Sequence, residues 1–422
     1  MNAPLDALRF APERILIESL SERFGLDLLI DHFISSGSVR SSYDAVLASQ
    51  LRLTRLLAPR LLGLLDDVCG RLAFTEPLEL FVAQDASVNA GAMHRLSPTE
   101  PHVLTLTSAL VERMSDDELR FVLGHEIGHL TYRHYRARLA VPAFGEDEQG
   151  QSKAPPLLVR RIESWDRMAE LSADRAGLLV ADGRLDVAVS AFFKIQSGLG
   201  PEHLRFDVSA FIDQLATLQN LERRELLAQF SHPATPIRVR ALQLFQQARD
   251  AGLGMDEVDP AVESLARLMD YAPSQPIEIH AHTLLLTGGL LLGHADVDTM
   301  EEAEWTTLMH LLLPLSADPE ADVTRIHSTQ EAEAALDSSA AWLRENAGEE
   351  RYDLFRGLAH IACTDGKVHP DERVRLYAIA DKLDIPRRAA DEMLYEVLAD
   401  HLQTQTMRGL PPPRLTRPAR PA

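Results

Sequence analysis

His125-Glu126-Ile127-Gly128-His129 constrains this chain more than any other feature. Two histidines four apart fall about one turn from each other on a helix, so both imidazoles share a face and can reach a single zinc ion. The H-E-x-x-H pattern also sets a carboxylate beside them, suited to act as a general base. The flanking sequence supports a helix. Ser115-Asp116-Asp117-Glu118 reads as a capping box that starts the helix at Asp116. Leu119, Val122, Leu123, Ile127 and Leu130 give an apolar stripe at helical spacing, with Pro142 just past the expected end. The competing reading is a satisfied histidine pair on an ordinary buried helix. It leaves two imidazoles beside a glutamate in need of a partner, which zinc supplies.

A catalytic zinc site needs a third protein ligand and keeps the fourth position for water. Glu170 and Asp174, again four apart on a helical pattern, are the candidates. Glu170 would ligate the ion, and Asp174 would accept the second N–H of a ligating histidine and so orient it. A solvated acidic helix face is the alternative. The small Ala169, Ala173 and Ala176 around the carboxylates favour close packing instead.

With these residues in order, the chain resembles the HtpX-like and CAAX-prenyl-protease-like zinc metallopeptidases, gluzincins whose pattern is H-E-x-x-H followed by E-x-x-x-D. Two further stretches match that resemblance. Asn89-Ala90-Gly91-Ala92 is similar to the family's N-A-x-A edge strand, which implies pairing with substrate backbone. Ser231-His232-Pro233 with Arg238 is similar to its H-P-x-x-x-x-R element, which implies an oxyanion donor in His232 and an arginine that fixes carboxylates such as Asp174. The resemblance covers about residues 48 to 245. Gly91 departs from the apolar or aromatic third residue usual in the edge motif, and His232 before Pro233 also reads as a turn residue.

The expected chemistry is peptide hydrolysis, with His125, His129 and Glu170 holding one Zn2+ and Glu126, about 100° around the helix, turned to the water as base. An autoinhibited or inactive peptidase-fold regulatory protein, acting through its C-terminal region, is the alternative. A scaffold that works through that region alone is a third. The partner implied is an extended peptide or protein. A net charge of −21 argues against nucleic acid or an anionic membrane surface.

The membrane-embedded relatives carry long apolar spans, whereas Thr283 to Gly293 is too short for a bilayer. No signal peptide is read at the start, so a cytoplasmic location is expected. Cys69 and Cys363 read as separate buried thiols.

With 422 residues, several domains are expected. Residues 1–47 read as a helical extension and 48–250 as the zinc domain. The fold class is mainly α with a small β-sheet, an α+β gluzincin domain, followed by an all-α bundle over 255–405 and a disordered Pro-rich tail over 406–422. An amphipathic helix is expected from Leu51 to Leu72, and strands at Leu78 to Ala83, around Asn89 and at Val103 to Thr107. Between Val141 and Pro156 a polar run reads either as a mobile cover over the cleft or as an insertion without a role. Asp182-Gly183 should end the Glu170 helix, with another helix, Leu185 to Leu199, packed beneath it.

The stretch from Tyr352 through Asp365 to Tyr377 resembles the tellurite-resistance TerB-like helical domain, which would offer a surface to a protein partner. An upstream echo with Asp296, Asp298 and Glu302 suggests a pseudo-repeat. Asp365, Asp371 and Glu372 are too few oxygens at the wrong spacing for an EF-hand, so helix capping after Pro370 is the better reading.

Overall fold

A computed structural model of the chain describes residues 5–36, 43–97, 99–146, 152–205, 207–215, 232–266, 275–294, 300–312, 315–316, 319–364 and 366–407. The chain divides into two compact units, Met1–Met269 and Asp270–Ala422.

The first unit opens with a 3-10 turn, Leu5–Leu8, followed by α1 (Ala11–Phe24), α2 (Leu26–Ser35) and α3 (Tyr43–Ser49). Strand β1 (Leu51–Arg52) and α4 (Pro59–Leu72) come next, then β2 (Leu78–Ala83), β3 (Ala90–Met93) and β4 (His102–Thr107). The helix expected from Leu51 therefore starts eight residues late. Pro59 opens it at a position where its missing N–H costs nothing, while Leu51 and Arg52 pair antiparallel with Val82 and Phe81. The sheet order is β1-β2-β4-β3, with β2 parallel and β3 antiparallel to β4. Strand β3 lies at the edge of this sheet.

Helices α5 (Ser108–Arg113), α6 (Asp116–Thr131), α7 (His134–Arg138), α8 (Pro156–Val180), α9 (Leu185–Ser197), α10 (Val208–Ile212), α11 (Thr235–Ala251) and α12 (Met255–Ala266) complete the unit. The capping box forms as read: Ser115 Oγ accepts the Glu118 N–H and Glu118 accepts the Ser115 N–H. Lys194 from α9 also donates to Glu118 at 2.7 Å. That contact, with Phe192 edge-to-face on Phe121, seats α9 against α6, whereas it was expected beneath the Glu170 helix. Helix α6 stops at Thr131, well before Pro142, because Arg133 enters the left-handed region (φ 57°) and reverses the chain into α7. At the far end of α8, Asp182 and Gly183 both take positive φ, the break expected there.

Helices α6 and α8 pack through small residues. Gly124 and Gly128 face Ala173, Ala176, Gly177 and Val180, and Gly177 in turn faces Phe121. The close approach follows from having no Cβ at these points. A core of Leu61, Leu65, Val68, Leu80, Leu104, Leu119 and Ile127 joins α4, the sheet and α6. The opposite face of α8 carries Leu171, which packs with Phe10, Ala241, Ala248, Val258 and Val262. Helix α12 thus belongs to the first unit, although the boundary read from sequence placed residue 255 onwards in the second.

The second unit is all helical among the described residues: α13 (Pro276–Gly293), α14 (Glu302–Leu312), α15 (Pro319–Thr324), α16 (Thr329–Asn346), α17 (Glu350–Ala362), α18 (Pro370–Lys382) and α19 (Arg387–Met407). The capping reading holds, since Glu372 accepts the His369 N–H at 2.7 Å and Pro370 sits in the first turn. Glu304 accepts the Glu301 N–H in the same way at 2.9 Å, the structural counterpart of the sequence echo. Asp296, Asp298, Asp365, Ser231 and the tail from residue 408 lie outside the described residues. Among the described residues no helix is long and apolar enough to cross a membrane.

Candidate metal centre

Helix α6 turns His125 and His129 to one side, and α8 turns Glu170 and Asp174 to meet them. One ligand atom each from His125, His129 and Glu170 lies within 4.8 Å of the others. The two Nε2 atoms are 3.0 Å apart. Glu170 Oε2 stands 3.4 Å from His125 Nε2, and Oε1 stands 3.4 Å from His129 Nε2. All three side chains are buried, and Glu170 Oε2 accepts no hydrogen bond from the described residues despite its burial. A buried carboxylate oxygen left without a donor, facing two imidazole nitrogens, is a donor set that fits a divalent cation and zinc in particular.

The groups packed at this point shift in opposite directions. Burial pulls the His125 imidazolium down, but hydrogen bonds and attraction from Asp174 and Glu170 outweigh it and push the group up to about 9. At His129 burial prevails, and with the like charge of His125 it takes the group down to about 3. Glu170 is held well below the usual carboxylate range, because the two histidines and Arg238 overcome its burial. Glu126 moves the other way, raised by burial and by the Glu170 carboxylate against the pull of His125.

Asp174 accepts from His125 Nδ1 at 2.9 Å, the orienting contact expected from the sequence. Arg238, from the first turn of α11, makes a forked pair with Asp174 through Nε at 2.8 Å and a second nitrogen at 2.5 Å. The guanidinium also stacks on the Phe192 ring, 4.5 Å from its centroid. His232 reaches Glu170 Oε2 at 3.6 Å while staying largely exposed, so it faces the cluster from the solvent side. Ala90, Gly91 and Ala92 lie in β3, and Asn89 precedes it, its carbonyl accepting the Thr107 N–H. A Cβ at Gly91 would meet nothing within 4 Å, so no neighbour requires glycine there.

Three contributors escaped the sequence. Arg138 donates to Glu170 Oε1 at 3.2 Å and to Asp166 at 2.6 Å. His134 puts Nδ1 2.8 Å from Nδ1 of His129, and Glu13 of α1 lies beyond it. Arg138 and His134 reach the site only because the chain reverses at Arg133. The one signal in the sequence was an R-x-x-x-x-R and histidine cluster just past the H-E-x-x-H helix. Of the polar run from Val141, residues 147–151 lie outside the described residues, and its flanks are tied by an antiparallel bridge between Glu146 and Ser152.

Comparison with known proteins agrees with this geometry. Residues 71–245 match Peptidase family M48, and residues 290–394 match Tellurite resistance protein TerB. The chain is 30% identical over 202 residues to the plastoglobule-localized metallopeptidase 48, chloroplastic, of Arabidopsis thaliana, a stretch covering 43% of this chain and 55% of that protein. It is 26% identical over 218 residues to a protease HtpX homolog of Ralstonia nicotianae, covering 45% of this chain and 75% of that one. A protease HtpX homolog of Thermoplasma volcanium is 24% identical over 248 residues, 50% of this chain and 78% of its own length. The chain thus spans about half the length of the plant relative and about three quarters of the two HtpX homologs. No solved structure matches the chain. The two matches fall on separate stretches of the chain: the one similar to peptidase family M48 holds His125, His129 and Glu170, and the one similar to TerB lies in the second unit.

Proposed function

We propose that this chain is a zinc-dependent metalloendopeptidase acting on extended or unfolded polypeptide. The observation that carries the reading is the convergence of His125, His129 and Glu170 beside a buried Glu126 whose carboxyl is held above its usual range. Those three residues would hold one ion, which when bound supplies Lewis-acid chemistry, acidifying water and polarising a peptide carbonyl.

Glu126 is suited to take the proton of the attacking water and return it to the leaving amine, since a raised carboxyl shares protons near neutral pH more readily than an ordinary one. His232, exposed and aimed at Glu170, would donate to the oxygen of the tetrahedral intermediate, where developing charge is greatest. Arg238 and Asp174 would keep His125 in the tautomer that offers Nε2, and Arg138 would hold Glu170 in place.

An extended peptide would add to the edge of β3. Asn89 takes the hydrogen-bonded position opposite Thr107, so by alternation Ala90 and Ala92 face the open edge; the Ala90 N–H donates to Asn89 Oδ1 at 2.9 Å, which leaves the Ala90 C=O and both groups of Ala92 to pair with a peptide. A protein partner would be recruited by the second unit. Deleting residues 270–422, which leaves α12 in place, should then abolish that capture and keep casein hydrolysis.

The decisive experiment is casein hydrolysis by the zinc-loaded protein and by Glu126→Gln with zinc content measured in both. Turnover in the wild type, lost in a variant that still holds zinc, is the expected result. Zinc in both with turnover in neither would favour the autoinhibited alternative instead.

A further inference from the structure

We infer that His134, backed by Glu13 of helix α1, is a positioning residue that fixes the metal-binding tautomer of His129. The inference rests on the zinc reading above. His129 turns Nε2 towards His125 and Glu170, so the lone pair must be on Nε2 and the proton on Nδ1. A proton on Nδ1 inside a buried site needs an acceptor. Asp174 meets the corresponding need of His125, but among the described residues no carboxylate does so for His129. The group at 2.8 Å is Nδ1 of His134, which is itself fully buried. To accept there, His134 must keep its own proton on Nε2.

That nitrogen has no hydrogen-bond partner, and the carboxylate it faces is Glu13, with Oε1 at 3.7 Å. Glu13 is completely buried and fixed from three sides: Arg9 donates twice, at 2.6 and 2.7 Å, Trp165 Nε1 at 2.7 Å and Ser172 Oγ at 3.1 Å. A negative carboxylate at this point favours the Nε2–H tautomer of His134, and this leaves Nδ1 free to accept from His129. The ring of His134 is clamped edge-to-face between His129 and Trp165, with centroids at 4.9 and 5.6 Å.

Two features of the fold build the relay. The left-handed turn at Arg133 brings residue 134 back beneath residue 129. The segment before the region matched to the peptidase family then closes the far end, because Glu13 lies outside residues 71–245. The N-terminal helix is in this reading part of the metal site, where the sequence suggested only an extension.

Asparagine and leucine at 134 separate positioning from packing. The Oδ1 of asparagine can occupy the place of Nδ1 and accept from His129, whereas leucine fills similar space and accepts nothing. Zinc affinity of the full-length protein would be measured by chelator competition, with melting in EDTA as a control for the fold. His134→Leu should bind zinc about 10–100-fold more weakly, as loss of an orienting partner typically does, while His134→Asn stays within about threefold of wild type. Glu13→Gln should weaken binding by about three- to tenfold, acting through His134.

Wild-type affinity in His134→Leu, or equal losses in Leu and Asn, would overturn the relay and leave the zinc reading intact. Should leucine prevent folding, Glu13→Gln and His134→Asn carry the test, and an unchanged affinity in Glu13→Gln would reject the backing role. A wild type that binds no zinc would remove both readings together.

Discussion

Replacing Gly177 by alanine should pry apart the two helices that carry the His-His-Glu cluster. A Cβ at Gly177 would lie 2.7 Å from the Phe121 carbonyl oxygen and 3.0 Å from two of its ring carbons. Ordinary contact begins near 3.4 Å, so a backbone atom of α6 must yield by about 0.7 Å. Overpacking of this kind costs about 1–3 kcal/mol. Alanine returns about 1 kcal/mol through its better helix propensity, so the net effect is destabilisation of about 1 kcal/mol. Phe121 lies one turn before His125 on α6, and Gly177 lies two turns beyond Glu170 on α8. A wedge here moves Glu170 away from the two histidines by more than the ~0.2 Å that a coordination distance tolerates.

Calorimetry of the metal-free protein should show the transition of the first unit lowered by about 2–4 °C. Chelator competition should show zinc binding weakened by at least about tenfold. Gly63→Ala is the control. Gly63 is exposed in the middle of α4 and its added Cβ meets nothing within 4 Å, so the same substitution there should stabilise by about 0.4–1 kcal/mol. Two glycine-to-alanine changes in helices thus have opposite signs. If Gly177→Ala rises with Gly63→Ala and keeps its zinc affinity, the small-residue interface does not set the spacing of the site.

Removing one half of the buried pair between α6 and α9, Lys194→Met, leaves Glu118 without its cation and should cost about 3–5 kcal/mol in urea denaturation. Burial raises the Glu118 carboxyl, yet Lys194, Ser190 and the Ser115 N–H overcome that and hold it below its usual range. Its contribution is therefore complete above the unfolded value of about 4.3 and is lost as pH falls through the lower folded value, so wild-type stability should fall more steeply than that of Glu118→Gln in this acidic window. Asp174→Ala should weaken zinc binding about 10–100-fold, because His125 loses its acceptor and Arg238 its counter-ion; equal affinity in variant and wild type would contradict the orienting role. Ala92→Pro removes an N–H turned to the open edge of β3 without touching the ladder to β4, and should raise KM for casein by about tenfold at unchanged zinc content. A fall in kcat alone would place the substrate elsewhere.

Much of this was legible in local pattern because local physics decides it. The Ser115 to Glu118 box needs only the first turn of a helix, and the four-residue spacings of His125 to His129 and Glu170 to Asp174 follow from 3.6 residues per turn. Apolar periodicity placed β2 and β4, and a Pro-Asp-Glu start placed α18. The start of α4 and the end of α6 were misread for separate reasons. Leu and Arg at helical spacing are equally at home in a short edge strand, and a non-glycine residue at positive φ leaves no mark in sequence.

The H-E-x-x-H motif by itself pointed to the two histidines, a candidate base and the demand for a third ligand. Tertiary structure decided the rest. Which carboxylate meets His125, how closely glycines let α8 approach, and that a reversal at Arg133 sets His134 and Arg138 beside the site all depend on pairs of residues distant in sequence. Glu13, 112 residues before His125, shows the limit most plainly. Its burial beneath the cluster follows from packing of α1 on α8, a long-range contact whose energy is spread over Phe10, Ser172, Trp165 and Arg175, and no local spacing encodes it.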